Sequence, residues 1–304
     1  MKNDIKRILR EVIEDFINEE MSVNNDLEFG VENAVSEIIE KYRNTDIIDE
    51  KQVSLKYGNE NMIYIIPIET LFCEIKINNI CKLPCEINIY EFQDEETFNK
   101  LYSAIEFESN FNKRTKRMEI NTYSIQKALN RLHLRNLIYH ECEHSFQYFM
   151  SNETLIPNDN YMKVKNIIQG KDQYHNTELY IKIAWILYYY DKLEIDANIN
   201  SLYGELMTDK SITLDSTNFN QNNAEIIKEF NDIIQYLGDE ELHDVLKYFN
   251  FNERQFVKYI TKQQKYIKEK TRKVVQRAID KRKSLVENIE KITNTLRKKP
   301  IFFS

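Results

Sequence analysis

Residues 136–150 read NLIYHECEHSFQYFM, and inside them stand His140-Glu141-Cys142-Glu143-His144: two histidines four apart, with a glutamate directly after the first. On a helix, positions i and i+4 share a face and lie about 6 Å apart along the axis. Two imidazoles so placed can converge on one metal ion at about 2.0–2.1 Å. The glutamate after the first ligand reaches the open coordination position, where it can take a proton from metal-activated water. Leu137, Ile138, Phe146 and Phe149 supply an apolar side, and no Gly or Pro interrupts the run. Chance yields this pentapeptide about once in a hundred chains of such His and Glu content. The plainer alternative is a pair of surface histidines on a charged helix. Cys142, at the second variable position, is expected to point away from the metal into packing.

A catalytic zinc usually has three protein ligands plus water. Residues 188–200 read YYYDKLEIDANIN, so Glu194 follows His144 by 50 residues. Glu194 and Ala197 are three apart and share a helix face, where the small Ala197 lets two helices approach closely. Asp196 is the rival ligand. Positions i and i+2 point to nearly opposite sides, so only one of the two acids can face the metal, and Ala197 favours Glu194. Both acids also suit a solvated helix start, where carboxylates complement the dipole.

Here the sequence resembles the gluzincin group of zinc metallopeptidases, with H-E-x-x-H on one helix and a ligand glutamate on a later one. Gln147 and the Tyr-rich run into E-I-D-A look like bacterial and phage-encoded zincins. The resemblance spans residues 115–205. It implies His140, His144 and Glu194 as zinc ligands and Glu141 as general base. It also implies a protein or peptide substrate, hydrolysed without an acyl-enzyme by water whose pKa the metal lowers to about 7. Regulatory proteases of the ImmA/IrrE type, which cleave repressors, share the layout. Their third ligand is expected at a shorter spacing.

Other residues near the motif are weaker candidates. Gln147 lies on the ligand face and can touch substrate, support the ligands from behind, or simply face solvent. One hydroxyl of Tyr188, Tyr189 or Tyr190 can stabilise an oxyanion, and so can His175, although packing is the favoured account of any single tyrosine. His133, two turns before the motif, is too far along the axis to be a ligand and reads as structural. His243 reads as a surface residue. The segment 116–122 (KRMEINT) reads as a strand whose Met118–Asn121 stretch can offer a sheet edge to an extended substrate.

The elements that must hold these residues follow from composition. Among 304 residues there are only 5 Gly and 4 Pro, too few turn formers for a sandwich or barrel. Aromatic content of 12% excludes a disordered chain. The expectation is an α+β, predominantly helical zincin-like domain with a small β-sheet. Helices are expected at 4–20, 32–43, 95–106, from 125 to about 150, at 176–189, from about 191, and from 224 onward. Strands are expected at 52–57, 62–68, 72–78, 86–92 and 116–122. The segments 151–160 and 209–222 read as polar loops. The chain divides on this reading into N-terminal helices (1–50), the metallopeptidase domain (51–215) and a basic helical C-terminal region (216–304).

Residues 252–300 hold 16 Lys/Arg against 5 Asp/Glu, whereas the whole chain carries a net charge of −7. That basic stretch, 252–299, can contact nucleic acid phosphates, although Tyr259 and Tyr266 among apolar residues read more simply as a packing stripe. After residue 251, Val275, Ala278, Leu285, Ile289, Ile292 and Leu296 recur at helical steps, interrupted by Arg282. No apolar run reaches the roughly 20 residues of a membrane span and no signal peptide is visible, so the reading is cytoplasmic, without membrane contact. Cys73, Cys81, Cys85 and Cys142 then read as reduced thiols. Cys81 and Cys85 lack the second cysteine pair of a structural zinc site.

Overall fold

A computed structural model describes residues 27–46, 49–57, 60–77, 81–101, 109–150, 159–172, 174–175, 177–208 and 213–297. The helix expected at 4–20 lies outside them. The fold is α+β and mainly helical, as the scarcity of turn formers implies. It divides into two compact units, Met1–Phe146 and Gln147–Ser304, and the division falls within one helix.

In the first unit, α1 (27–44) presents Leu27, Val31, Val35, Ile38 and Tyr42 as a single buried stripe. A Cβ on Gly30 would stand 2.3 Å from the Lys76 carbonyl oxygen, so glycine is required where the helix meets the sheet. The strands are β1 (Asp49–Tyr57), β2 (Glu60–Ile77), β3 (Cys81–Phe92), β4 (Ser109–Asn112), β5 (Arg117–Ile125) and β6 (Ala128–Leu129). They lie in the order β1-β2-β3-β5-β4, with β6 paired to β5. Among the described strands, only β3 and β5 run parallel. The connection between them contains α2 (Glu95–Leu101).

Three sequence expectations change here. The two strands expected at 62–68 and 72–78 are one strand, β2, whose first half pairs with β1 and second half with β3. Side chains join the strands as well: the Thr70 hydroxyl donates to Asn88 Oδ1 (2.7 Å), and Asn88 Nδ2 donates to Asn121 Oδ1 (2.9 Å). The Met118–Asn121 stretch is not a free edge. Met118 and Ile120 pair with Cys85 and Ile87 on one side and with Phe111 and Ser109 on the other, which occupies the backbone groups an extended substrate would need. Finally, residues 125–129 are not helical. Gln126 and Lys127, with φ of 49° and 62°, make a tight hairpin turn from β5 to β6. The usual Asn-Gly signal of that turn is missing, which hid it from the sequence.

Helix α3 (Arg131–Met150) carries the His motif. Asn130 caps it, its Oδ1 accepting from the His133 backbone N–H at 2.9 Å. Glu32 of α1 binds Arg131 and Arg135 one turn apart and fixes the helix start. Leu134, Ile138 and Cys142 bury its inner face.

The second unit contains α4 (Asp159–Ile168), α5 (Glu178–Tyr189), α6 (Lys192–Thr208), α7 (Asn218–Ile234), α8 (Glu240–Tyr248) and α9 (Glu253–Arg297), with a short 3₁₀ turn at Leu214–Ser216. Helix α4 was not read from the sequence, and α7 begins inside the expected loop. The core joins Ile183, Ile186 and Leu187 of α5, Ile195, Ile199 and Leu202 of α6, Leu242 and Leu246 of α8, and Phe256, Ile260 and Ala278 of α9. The spacing fits one long amphipathic helix or a helix pair, and the structure has the single 45-residue α9. The side chains of Leu285, Ile289, Ile292 and Leu296 lie outside the described residues. Among the described residues no helix is long and apolar enough to cross a membrane.

Candidate metal centre

His140 and His144 stand one turn apart on α3. Their Nε2 atoms face each other at 3.1 Å, and the ring planes are nearly perpendicular (82°). Two ligands of a tetrahedral ion at about 2.0–2.1 Å from it would be about 3.3 Å apart, so this separation suits a shared ion. Glu194, in the first turn of α6, is the third member: one ligand atom from each of His140, His144 and Glu194 lies within 4.8 Å of the others. The group can therefore hold a metal ion. No other group of three His, Cys, Asp or Glu side chains does so among the described residues.

Burial supports the fit. Glu194 is 1% exposed, and an ionised carboxylate is costly to bury unless a cation or hydrogen bonds compensate it. Two neutral imidazoles and one carboxylate leave such a site with one negative charge, which a divalent cation reverses. Glu141 is also buried (2% exposed), and its Oε2 has no hydrogen-bond partner among the described residues. A buried carboxylate with a spare acceptor, next in sequence to a ligand, is equipped to accept a proton.

The surroundings of Glu194 are specific. Leu193 N–H donates to Asp191 Oδ1 (2.9 Å), which starts α6. Gln147, one turn after His144, donates from Nε2 to the Leu193 carbonyl (3.1 Å), so this residue ties α3 to the start of α6. Ala197 is fully buried. Tyr161 of α4, not singled out in the sequence, donates its hydroxyl to Glu194 Oε1 at 2.9 Å. It directly follows the polar segment 151–160 and shares helical spacing with Val164 and Ile167.

Asp196 faces elsewhere. Its Oδ1 accepts from the Tyr266 hydroxyl (2.7 Å) and lies 3.6 Å from Lys270 Nζ, both on α9. The tyrosine run divides. Tyr190 is fully buried, its hydroxyl accepting from Gln264 and its carbonyl from the Tyr259 hydroxyl. Tyr189 reaches the Phe219 carbonyl at 3.5 Å, and burial pushes its hydroxyl pKa well up. Both are bound into the α5–α9 core. Tyr188 alone lies beside the site's surroundings, its ring 6.1 Å from that of Tyr161.

His175 belongs to another cluster. Its Nδ1 is 2.9 Å from Asp172 Oδ2, which also accepts from the Tyr248 hydroxyl (2.8 Å), and its ring lies 4.0 Å from that of Tyr248. Those hydrogen bonds, Tyr248's foremost, hold the Asp172 carboxyl below its usual range. His133 packs against Tyr123, and burial lowers its pKa to about 4. His243 is exposed. Cys142 is buried, away from the ligand face, and Cys85 is buried opposite Cys73 in the β2–β3 register. On α9, Tyr259 and Tyr266 pack on the core, while Lys258, Lys262, Lys265, Lys268, Arg272 and Lys273 are exposed. Arg277 is not among the exposed bases, lying over the Tyr203 ring at 4.3 Å.

No family model, curated protein or solved structure matches this chain.

Proposed function

We propose that the protein is a zinc-dependent metallopeptidase. The observation that carries this reading is the meeting of His140, His144 and the distant Glu194, with the buried Glu141 next to the first ligand. Two imidazoles and one carboxylate, with a coordination position left open, form a donor set suited to catalytic zinc. When bound, the ion would acidify water and polarise a carbonyl.

The chain's own residues supply the rest. Glu141 takes the proton from the attacking water and passes it to the leaving amine. His140 and His144 are oriented by a helix capped at Asn130 and anchored to Glu32. Gln147 holds the backbone beside Glu194 rather than contacting substrate.

The test is metal content of the purified protein beside its His140→Ala variant, followed by hydrolysis of a quenched peptide mixture. Near-stoichiometric zinc that disappears in the variant is expected, together with cleavage that a chelator stops. A metal-free wild type, or zinc retained in His140→Ala, would sink the assignment.

A further inference from the structure

The sequence motif accounts for two histidines and a glutamate, but not for what fixes the third ligand's side chain. The backbone at Glu194 is held by Asp191 and Gln147 on its neighbour Leu193. Beyond the backbone, a glutamate retains three rotatable bonds, and its carboxylate has about four acceptor positions on two oxygens. Tyr161 meets one of those oxygens at 2.9 Å. The Tyr161 ring is itself supported: it lies 6.1 Å from Tyr188, which stands edge-on to Trp185 at 6.0 Å. A half-buried tyrosine braced in this way points its hydroxyl at a fixed place at little further entropic cost.

We propose that Tyr161 is a positioning residue of the metal centre, its hydroxyl orienting the Glu194 carboxylate so that the carboxylate meets the ion through a single oxygen. The proposal rests on the metal-centre reading above and extends it to α4. A hydrogen bond to Oε1 makes the two oxygens unequal: it withdraws charge from one and leaves Oε2 as the stronger donor. It also holds the side-chain rotamer ready before the ion arrives. Partners of this kind, one step removed from the metal, typically contribute about 10- to 100-fold in metal affinity.

The test uses the full chain, stripped by chelator and titrated with zinc against a chromophoric competitor. Wild type, Tyr161→Phe and Glu194→Ala are compared. The Phe variant keeps the ring beside Tyr188, and metal-free melting of each variant checks the fold. Tyr161→Phe is expected to bind zinc about 10- to 100-fold more weakly. Its cobalt(II) visible spectrum is expected to shift, since the carboxylate changes its mode of contact. Wild-type affinity in Tyr161→Phe, with binding lost in Glu194→Ala, overturns the positioning role and leaves the metal centre standing. Weakened binding with an unchanged cobalt spectrum also overturns it, because the hydroxyl would then act only on packing. Wild-type affinity in both variants removes Glu194 as a ligand, and the proposal with it.

Discussion

Among the described residues, two clusters bring histidine, carboxylate and tyrosine together, and they are built differently. Around Asp172, His175 and Tyr248 each group completes the others: a carboxylate accepts from an imidazole and a phenol, and the rings stack. Around His140, His144 and Glu194 two imidazole nitrogens face each other at 3.1 Å, where at most one proton fits between them. The first arrangement is satisfied by its own hydrogen bonds. The second presents two ring nitrogens and a carboxylate oxygen close enough for one cation to take together. Residue types alone do not separate a structural cluster from a binding one; the direction in which the lone pairs converge does.

The sharpest way to break this comparison is at Glu141. If it is the proton acceptor, Glu141→Gln keeps its zinc and loses about 10²- to 10⁴-fold in kcat, whereas His175→Asn changes kcat less than about twofold. Peptide cleavage rates measured beside metal content decide it. Equal losses at the two positions would erase the distinction between the clusters.

A second prediction concerns His133, which shares α3 with the ligands and is held neutral. Its folded pKa, about 4, lies below the unfolded value near 6.5. Protons therefore bind the unfolded chain first. The stability tied to the neutral ring is complete above pH 6.5 and is lost as pH falls toward 4, to a limit of about 3 kcal/mol. His133→Phe, measured by denaturant melts with chelator present, should be flatter with pH over that window and more stable than wild type at pH 5. Parallel pH curves for the two proteins would contradict the buried neutral imidazole.

The same contrast explains what could be read before the structure. The His pair was legible because helix geometry turns a spacing of four into one face. Glu194 was legible through Ala197, whose small size is a packing statement. Tyr161 was not, because it stands on α4, a ten-residue helix directly after a polar loop, too short for the spacing of Tyr161, Val164 and Ile167 to stand out. The interior place of β5 was hidden for a related reason. A strand's own residues give its alternation, yet whether a neighbour pairs on each side depends on β3, some 30 residues earlier, and on the short β4. Tyr189 and Tyr190 looked like site residues by adjacency, but consecutive positions diverge: Tyr189 turns to Phe219 of α7 and Tyr190 to Tyr259 and Gln264 of α9.

Smaller effects test the satisfied side of the comparison. Tyr248→Phe removes one hydrogen bond to Asp172 and should cost about 1 kcal/mol. Asp172 ionises more readily in the fold than outside it, so its contribution is present above its unfolded pKa and is lost as pH falls through the lower folded value. The variant should narrow that acid-side loss while its zinc content stays at the wild-type level. Zinc lost from Tyr248→Phe would mean that the cluster reaches the metal centre after all.

The smallest effect discriminates most finely, because it lies two residues from the proposed ligand on the same helix. Asp196→Asn keeps an oxygen for the Tyr266 hydroxyl and removes only the charge that meets Lys270 at 3.6 Å. Lys270 is 41% exposed and Asp196 20%, so water screens the pair and the substitution should cost less than about 1 kcal/mol. Zinc binding should be untouched, and the matched Glu194→Gln variant should lose it. The reverse pattern, zinc lost at Asp196 and kept at Glu194, would require α6 to turn its opposite face to the histidines. That would break the Tyr266 and Lys270 contacts that now hold Asp196 against α9.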